Sequence, residues 1–527
     1  MSFRRTAVLI GIAALWNVTS ANAQTPAAAP PAPAPAPPPG TTPVPTPEPA
    51  RTPGPGDTGP APAPAREAGE PAPTPPATSA PAAAETPVAP PIGAAPPAPQ
   101  GELPKPPSAP STPTVSKWKV TIYGMVEFNA MHDSTQSLGE SVGGTALRRK
   151  ETFAGSHSRM HFTSRNSRFG VKVNAPDFGD VKTSGVMEMD FFGYTAASEA
   201  AQVSSGTFRL RQAFVKMDTP VVDLLVGQTY HVFGWQPFFF PATTSFFPIM
   251  NMVFGRMPQF RVSKTVKSDA VTFDIAAAAV RPPQRDSGTP DGQAGLKLGI
   301  NSWKGIHSLG AGTMLNDALS IGVSGLYRHF RLPENTAPQG AQRTTNGYGL
   351  SIDAFIPVIP AASVDDAGNA LSLTGSFSIS KGAADVLGVM QANNLPTTVA
   401  ITNADGTPGT TPYVGAIDAG LVRFNTEGKL KPIGWQTFMV GAQYYLPPSG
   451  SVFISANYTQ SESKDITTAN LFANTVYNKG RYIDGNILID FTKAFRLGLS
   501  YQYSWQRFTD GATAKNHRKE ISAYMFF

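Results

Sequence analysis

The stretch KVTIYGMVEFNA, Lys119 to Ala130, places Val120, Ile122, Val126 and Phe128 on one face and Lys119, Thr121, Tyr123, Glu127 and Asn129 on the other. A period of two is that of an extended strand and does not fit a helix. The pattern returns in LSLTGSFSIS, where Leu371, Leu373, Phe377 and Ile379 oppose Ser372, Thr374, Ser376, Ser378 and Ser380. A soluble sandwich alternates in the same way, so alternation alone does not choose between sandwich and barrel.

Spacing and the chain end choose. Sixteen candidate strands run from Lys119 to Phe527, near 119–130, 158–175, 181–194, 207–218, 221–230, 258–267, 268–280 and 295–303, then 318–331, 345–357, 369–382, 435–446, 451–462, 480–493, 495–508 and 518–527. Tight turns such as Thr219-Pro220, Lys267-Ser268 and Lys493-Ala494 alternate with long segments such as 132–157, 383–432 and 463–479. Membrane barrels alternate short periplasmic turns with long outer loops and have an even strand number. The last strand sets Ile521, Ala523, Met525 and Phe527 outward, and Tyr501, Tyr503 and Trp505 share an outward face suited to an aromatic girdle. The expected fold is an all-β, transmembrane antiparallel β-barrel of about sixteen strands, wide enough for an aqueous lumen. Two connections, Gly305 to Asp317 and Val358 to Asn369, are longer than a periplasmic turn should be.

The chain before this region has another composition. Of 52 prolines 33 precede Val115, while of the aromatic residues only Phe3 and Trp16 precede Trp118. Arg4 and Arg5, an apolar run from Ala7 to Trp16, and Ala21-Asn22-Ala23 read as a cleaved secretory signal over 1–23. The apolar run is shorter than the ~20 residues of a membrane-spanning helix. The Arg-Arg pair also occurs in signals for folded export, but a barrel must cross the inner membrane unfolded. Residues 24–115, a Pro/Ala-rich tract, bury too little apolar surface to fold and are expected to form a disordered periplasmic arm. Such an arm is either a plain spacer or a tether touching the cell wall. The barrel domain is expected over 116–527, in the outer membrane of a Gram-negative cell and in contact with its lipid.

Cysteine is absent, which removes disulfides, thiolate metal sites and a Cys nucleophile. The net charge is +6 without clustered basic runs, so no nucleic-acid partner is expected. No histidine pair has metal-ligand spacing at helical periodicity, no glycine-rich phosphate loop occurs, and Ser378-Ile-Ser-Lys381 sits inside an alternating strand. Neither an enzyme nor a cofactor is expected.

The third long connection, Val232 to Met257, carries Trp235, Phe238, Phe239, Phe240, Phe246 and Phe247. So apolar a segment packs onto something. Either it folds into the lumen as a constriction, or it caps the rim or a subunit interface. Beside it, Arg159, His161, Arg209, Arg211 and Arg261 fall on inward faces, Arg209 and Arg211 alternating with outward Phe208, Leu210 and Phe214, and Arg256 lies at the loop exit. Fixed cations on such a wall favour anions. Alternatively each arginine pairs with a lumen carboxylate such as Glu127, Asp484, Asp490 or Glu520.

The segments IYGMVEF (Ile122 to Phe128), SRFG (Ser167 to Gly170), FRLRQAF (Phe208 to Phe214), GQTY (Gly227 to Tyr230) and RMPQFR (Arg256 to Arg261), in this order, resemble the DcaP-like porins. The likeness covers roughly the first 150 residues of the expected barrel and beyond them only the strand pattern. It implies trimeric channels for passive diffusion of small solutes, favouring small anions such as dicarboxylates, with Arg209, Arg211, Arg256 and Arg261 as pore arginines. The chain departs from the family in its Pro/Ala arm, where a coiled coil is the family pattern, and in the Phe-rich stretch. A barrel anchor tethering the membrane to the cell wall, or a surface adhesin, is the other functional class that the sequence admits.

Overall fold

Alternating residues form strands here, and the strands close on themselves. The computed structural model describes residues 117–142, 146–193, 206–244, 248–310, 312, 314–333, 342–389, 398–403, 405–412 and 416–527. The expected signal and arm lie outside the described residues.

β1 (Lys119–Asp133) is followed by β2 (Arg159–Thr163) and β3 (Arg168–Asn174), two halves of one stave, both paired with β1. Then come β4 (Lys182–Asp190), β5 (Arg209–Asp218), β6 (Asp223–Tyr230), β7 (Arg256–Lys267) and β8 (Val271–Val280). The longest strands follow: β9 (Asp291–Ser308), β10 (Met314–Pro333) and β11 (Gln342–Ile359), then β12 (Leu371–Lys381). Two small hairpins, β13 (Thr398–Thr402) with β14 (Pro408–Pro412) and β15 (Val422–Phe424) with β16 (Leu430–Pro432), decorate the connection after β12. The circuit ends with β17 (Gly434–Tyr445), β18 (Val452–Glu462), β19 (Tyr477–Asp490), β20 (Phe495–Phe508) and β21 (Thr513–Phe526).

Every neighbouring pair is antiparallel, and β1 joins β21 from Met125 opposite Phe526 to Asp133 opposite Arg518. The result is a closed barrel of sixteen staves. Closure leaves no sheet edge, which a wall facing hydrocarbon requires because lipid offers no partner to a free N–H or C=O. The outward positions are apolar and bare, Val120, Ile122, Val126 and Phe128 on β1 and Ile521, Met525 and Phe527 at the chain end. The inward partners Glu127, Asn129, Glu520 and Ser522 are buried. The sixteen-strand reading of the sequence therefore holds stave by stave.

Turns at 175–181, 219–222, 268–270, 309–313, 446–451 and 491–494 lie on the end of the barrel where β1 begins and β21 stops. The connection 360–370 lies at that end too, longer than a tight turn as the sequence indicated, while the other end carries the remaining long connections and the short turn 509–512. Two expectations need correction. Gly305 to Asp317 is mostly strand: β9 and β10 extend to Ser308 and from Met314, past a register break at Ala318/Leu319 that interrupts the alternation. The 383–432 segment is not simply a polar loop, since Ala384, Val386, Leu387, Leu421 and Val422 in it are buried.

An outward Ile487→Arg, near the middle of the apolar band, is expected to cost about 2–4 kcal/mol, whereas Phe178→Arg in the short-turn rim costs about 0–1 kcal/mol. Denaturant titration of the protein folded into phospholipid vesicles checks this. Equal penalties would mean that the two positions do not differ in depth.

Candidate functional site: the barrel interior

The connection 231–255 crosses the interior from one wall to the other. Its first part lies on β9 to β11. The N–H groups of Val232 and Phe233 donate to Gln293 Oε1 at 3.0 and 3.1 Å, Gly234 N donates to Ser324 Oγ at 2.7 Å, and Trp235 Nε1 donates to Leu296 O at 3.0 Å. Glycines make the seat. A Cβ on Gly295 or on Gly322 would lie 2.8 Å from the Trp235 ring, and one on Gly349 would lie 2.9 Å from Phe233. Beside them Ala276 and Ala278 pack with Val232 and Trp235. The middle of the connection is pinned to the far wall, with Thr243 Oγ1 donating to Asp484 at 2.8 Å, Tyr524 Oη donating to Thr244 O at 2.9 Å and Ser461 Oγ donating to Asn251 Oδ1 at 2.7 Å. Trp235, Phe238, Phe239 and Phe240 thus lie inside the barrel wall, whereas Phe246 and Phe247 lie outside the described residues.

Two other elements meet this crossing. The β9–β10 hairpin bends inward from the short-turn end. Gly310 N donates to Pro241 O at 3.0 Å, Ser372 Oγ donates to Ile306 O at 2.6 Å, and Ser308 exchanges bonds with the Gln443 amide at 2.9 and 3.1 Å. His307 is buried in that hairpin, stacked 4.2 Å over Phe355 and hydrogen-bonded to Asp317 at 3.0 Å. From the other end an apolar cluster of outer connections includes Leu138, Val142, Val386, Leu387, Ile466 and Phe472, and Phe254 N donates to Val386 O at 2.7 Å.

The predicted arginines divide into kinds. Arg211 is fully buried, with Nε donating to Glu188 at 2.7 Å and Nη1 to Asp190 at 2.9 Å, so it does not face open space. Arg209 Nε donates to the same Asp190 at 3.0 Å. Arg256 stacks its guanidinium over Tyr230 and Phe254 at 5.7 and 5.8 Å. Arg159 donates to Leu138 O, and His161 bonds Asp133 at 3.0 Å. Tyr123 Oη donates to Glu188 at 3.2 Å. Arg261 donates to Gln259 at 3.0 Å and, like Tyr123, borders a cavity.

The carboxylates that hold the arginines are not those expected from the sequence. Glu127, Asp484 and Glu520 are held by neutral donors, Asn129, Asn457 and Gln502, and Asp490 pairs with Arg496. The true partners were legible: Glu188 and Asp190 are spaced i, i+2 on β4, as Arg209 and Arg211 are on the adjoining β5. Phe214 is a further correction. The register breaks between Glu188 and Met189, which skips Arg211 and turns Gln212, Phe214 and Lys216 inward together. A β-bulge of this kind reverses the facing of all that follows it.

Open space remains along β3 to β10, lined by lysines that the sequence reading passed over. A cavity of about 640 Å³ is bordered by Phe238, Lys267, Lys297, Lys304, Asp274 and Asp317. An adjoining cavity of about 240 Å³ is bordered by Lys172, Lys216, Arg261 and Lys264, with Asp223 and again Asp274. Seven cations thus face three carboxylates across the two. Lys297 lies 3.2 Å from Asp274 and 3.8 Å from the centre of the Phe238 ring. The pattern that could have revealed these lysines is the same alternation: Lys172 stands between Val171 and Val173, and Lys297 between Leu296 and Leu298.

No family model matches the sequence, and no curated protein matches it. Among solved structures, the outer membrane channel DcaP of Acinetobacter baumannii is similar at a TM-score of 0.54 and 16% identity, over 78% of this chain and 97% of that one. An anion-selective porin from Comamonas acidovorans scores 0.44 at 12% identity, over 78% of this chain and 100% of its own. Pseudomonas putida OprB scores 0.43 at 10% identity, over 78% and 94%. The likeness to the first establishes that this chain has the fold of that channel.

Arg211→Ala removes the closest cation from the buried Glu188 and leaves Asp190 with Arg209 alone of its two bonded arginines, and is expected to cost about 3–5 kcal/mol. Lys216→Ala, partly exposed and paired with Asp218 near the rim, is expected to cost less than about 1 kcal/mol. Denaturant midpoints of the folded barrel separate the two. Equal stability of both variants would show that the Arg211 pairing holds nothing.

Proposed function

We propose that this protein is an outer-membrane porin, a water-filled channel for passive diffusion of small solutes that favours small anions such as carboxylates. The observation that carries the reading is the excess of cations over carboxylates bordering the open interior of a closed, outwardly apolar barrel. Charges on a low-dielectric wall focus field into the space between them and raise the local concentration of the opposite sign. The lysines and Arg261 supply that field. Arg209 and Arg211, tied to Glu188 and Asp190, shape the wall beside it. Trp235 and Phe238 border the cavities from the crossing connection, which serves as the constriction. Assembly as a homotrimer, a signal peptide over 1–23 and a periplasmic arm over 24–115 with a cell-wall contact belong to the same proposal.

A second reading, a plugged barrel acting as anchor or adhesin, has one observation in its favour. The inward hairpin, the crossing connection and the outer apolar cluster touch one another through the middle of the barrel.

Reversal potentials in planar bilayers under a salt gradient test both. The native protein is expected to conduct with anions more permeant than cations, and Lys172→Gln/Lys216→Gln/Lys297→Gln is expected to lower that ratio. An unchanged ratio would remove the lysine wall as the selectivity element, and absence of conductance in the native protein would leave the anchor.

A further inference from the structure

From an exposed cationic patch on the outer wall of β19 to β21, we infer that this face holds the phosphorylated head of an acylated glycolipid of the outer leaflet. The inference rests on the outer-membrane reading above but not on conduction.

The patch is built by register. Trp505 on β20 is paired on one side with Arg481 of β19 and on the other with Lys515 of β21. One row lower, Tyr503 stands between Ile483 and His517, and below that Tyr501 is paired with Lys519, which in turn is paired with His132 of β1. All of these alternate with buried inward residues, Gln502, Ser504 and Gln506 on β20 and Asn516, Arg518 and Glu520 on β21, so the cations point to the membrane side. The Arg481 guanidinium lies 5.1 Å over the Trp505 ring and donates to Gln460 at 3.0 Å. Lys515 and Lys519 are exposed, and among the described residues neither they nor Arg481 has a carboxylate at salt-bridge distance. Glu462, the nearby acid, is taken by Lys479 at 2.8 Å and Arg507 at 3.6 Å.

Depth argues for a lipid head. From Phe527 to His517 the strand runs ten residues. At ~3.4 Å per residue and a tilt of ~40° that is a climb of about 26 Å, the height of the apolar band of such barrels. Lys519, His517 and Lys515 therefore straddle the outer boundary of the hydrocarbon. Below them Ile521, Met525 and Phe527 give a bare apolar surface for acyl chains. The sector that continues the wall beyond β1 is unlike this. At the same level the outward positions of β2 to β6 carry Met160, Phe162, Met189, Leu210 and Gln228, with no cation among them. A phosphate complements guanidinium and ammonium groups set at interface depth, and the aromatic rings give the sugar a flat support.

The test uses the full-length protein in detergent micelles, titrated with bisphosphorylated lipid A, with its phosphate-free form and with phosphatidylglycerol, and read by native mass spectrometry. Bisphosphorylated lipid A is expected to bind at least roughly ten-fold more tightly than either other lipid. Arg481→Gln/Lys515→Gln/Lys519→Gln is expected to lose that preference while keeping the heat-shifted gel mobility of a folded barrel. A charge-matched control, Arg281→Gln/Lys381→Gln/Lys493→Gln, is expected to keep it. An unchanged triple variant, or equal binding of phosphate-free lipid or of phosphatidylglycerol, overturns the inference. Should the triple variant not fold, the comparison of lipids on the native protein decides alone. Conductance of the same preparation separates the two readings, because phosphate-dependent binding without conduction sinks only the channel and conduction without such binding sinks only the patch.

Discussion

Everything in this molecule depends on the pairing of β1 with β21. The chain has no cysteine, and among the described residues no helix is long and apolar enough to cross a membrane, so the wall is joined by its hydrogen-bond ladder, and a ladder in hydrocarbon tolerates no free edge. Once Met125 to Asp133 lie against Phe526 to Arg518, each strand is paired on both sides, and inside and outside acquire different solvents. Alternation of side chains then becomes a sorting rule, with Val126 and Phe128 to lipid and Glu127 and Asn129 to the interior. The interior must in turn satisfy its own polar groups, and that requirement shapes the contents of the barrel.

The contents follow from what the wall leaves room for. Three aligned strands present Gly295, Gly322 and Gly349 inward, and the space freed by their missing side chains is taken by Trp235, Phe233 and Phe239. Opposite, Asp484, Asn457 and Asn486 form a polar wall whose hydrogen bonds are completed by Ala242 to Thr244 of the same crossing segment. One wall receives the segment by shape and the other by polarity. The open space lies beside the lysines of β3 to β9.

Much of this was legible in the sequence. Sixteen strands, the outward aromatic face of β20 and the position of the Phe-rich connection as the third outer one follow from period two and from the rhythm of turn lengths. The missing parts share a cause. Period two tells which face a residue takes only while the register is unbroken, and breaks at Glu188/Met189 and Ala318/Leu319 have no compositional mark. The first turned Phe214 inward and the second lengthened β9 and β10 into a hairpin that bends into the lumen. Pairing partners needed more than facing: Arg211 meets Glu188 because β4 adjoins β5, as their matching spacing allows, while Glu127 and Glu520 sit on inward faces but are satisfied by amides and a hydroxyl.

Burial also separates cations that serve the wall from cations that border the open space. Arg209 and Arg211 are committed to the fixed carboxylates Glu188 and Asp190, and the buried Arg168 lies 3.8 Å from the same Glu188. A guanidinium so held stabilises its neighbours because removing it weakens the pairing of buried acids, and its own charge is met at close range by them. The lysines of the open side are in the reverse position. Lys297, Lys264 and Lys216 keep partial exposure beside Asp274, Asp223 and Asp218, and the cations that border the open space outnumber its carboxylates. The same alternating strands thus deliver both kinds, which differ in burial: Arg209 and Arg211 are enclosed with their carboxylates, and the lysines border open space.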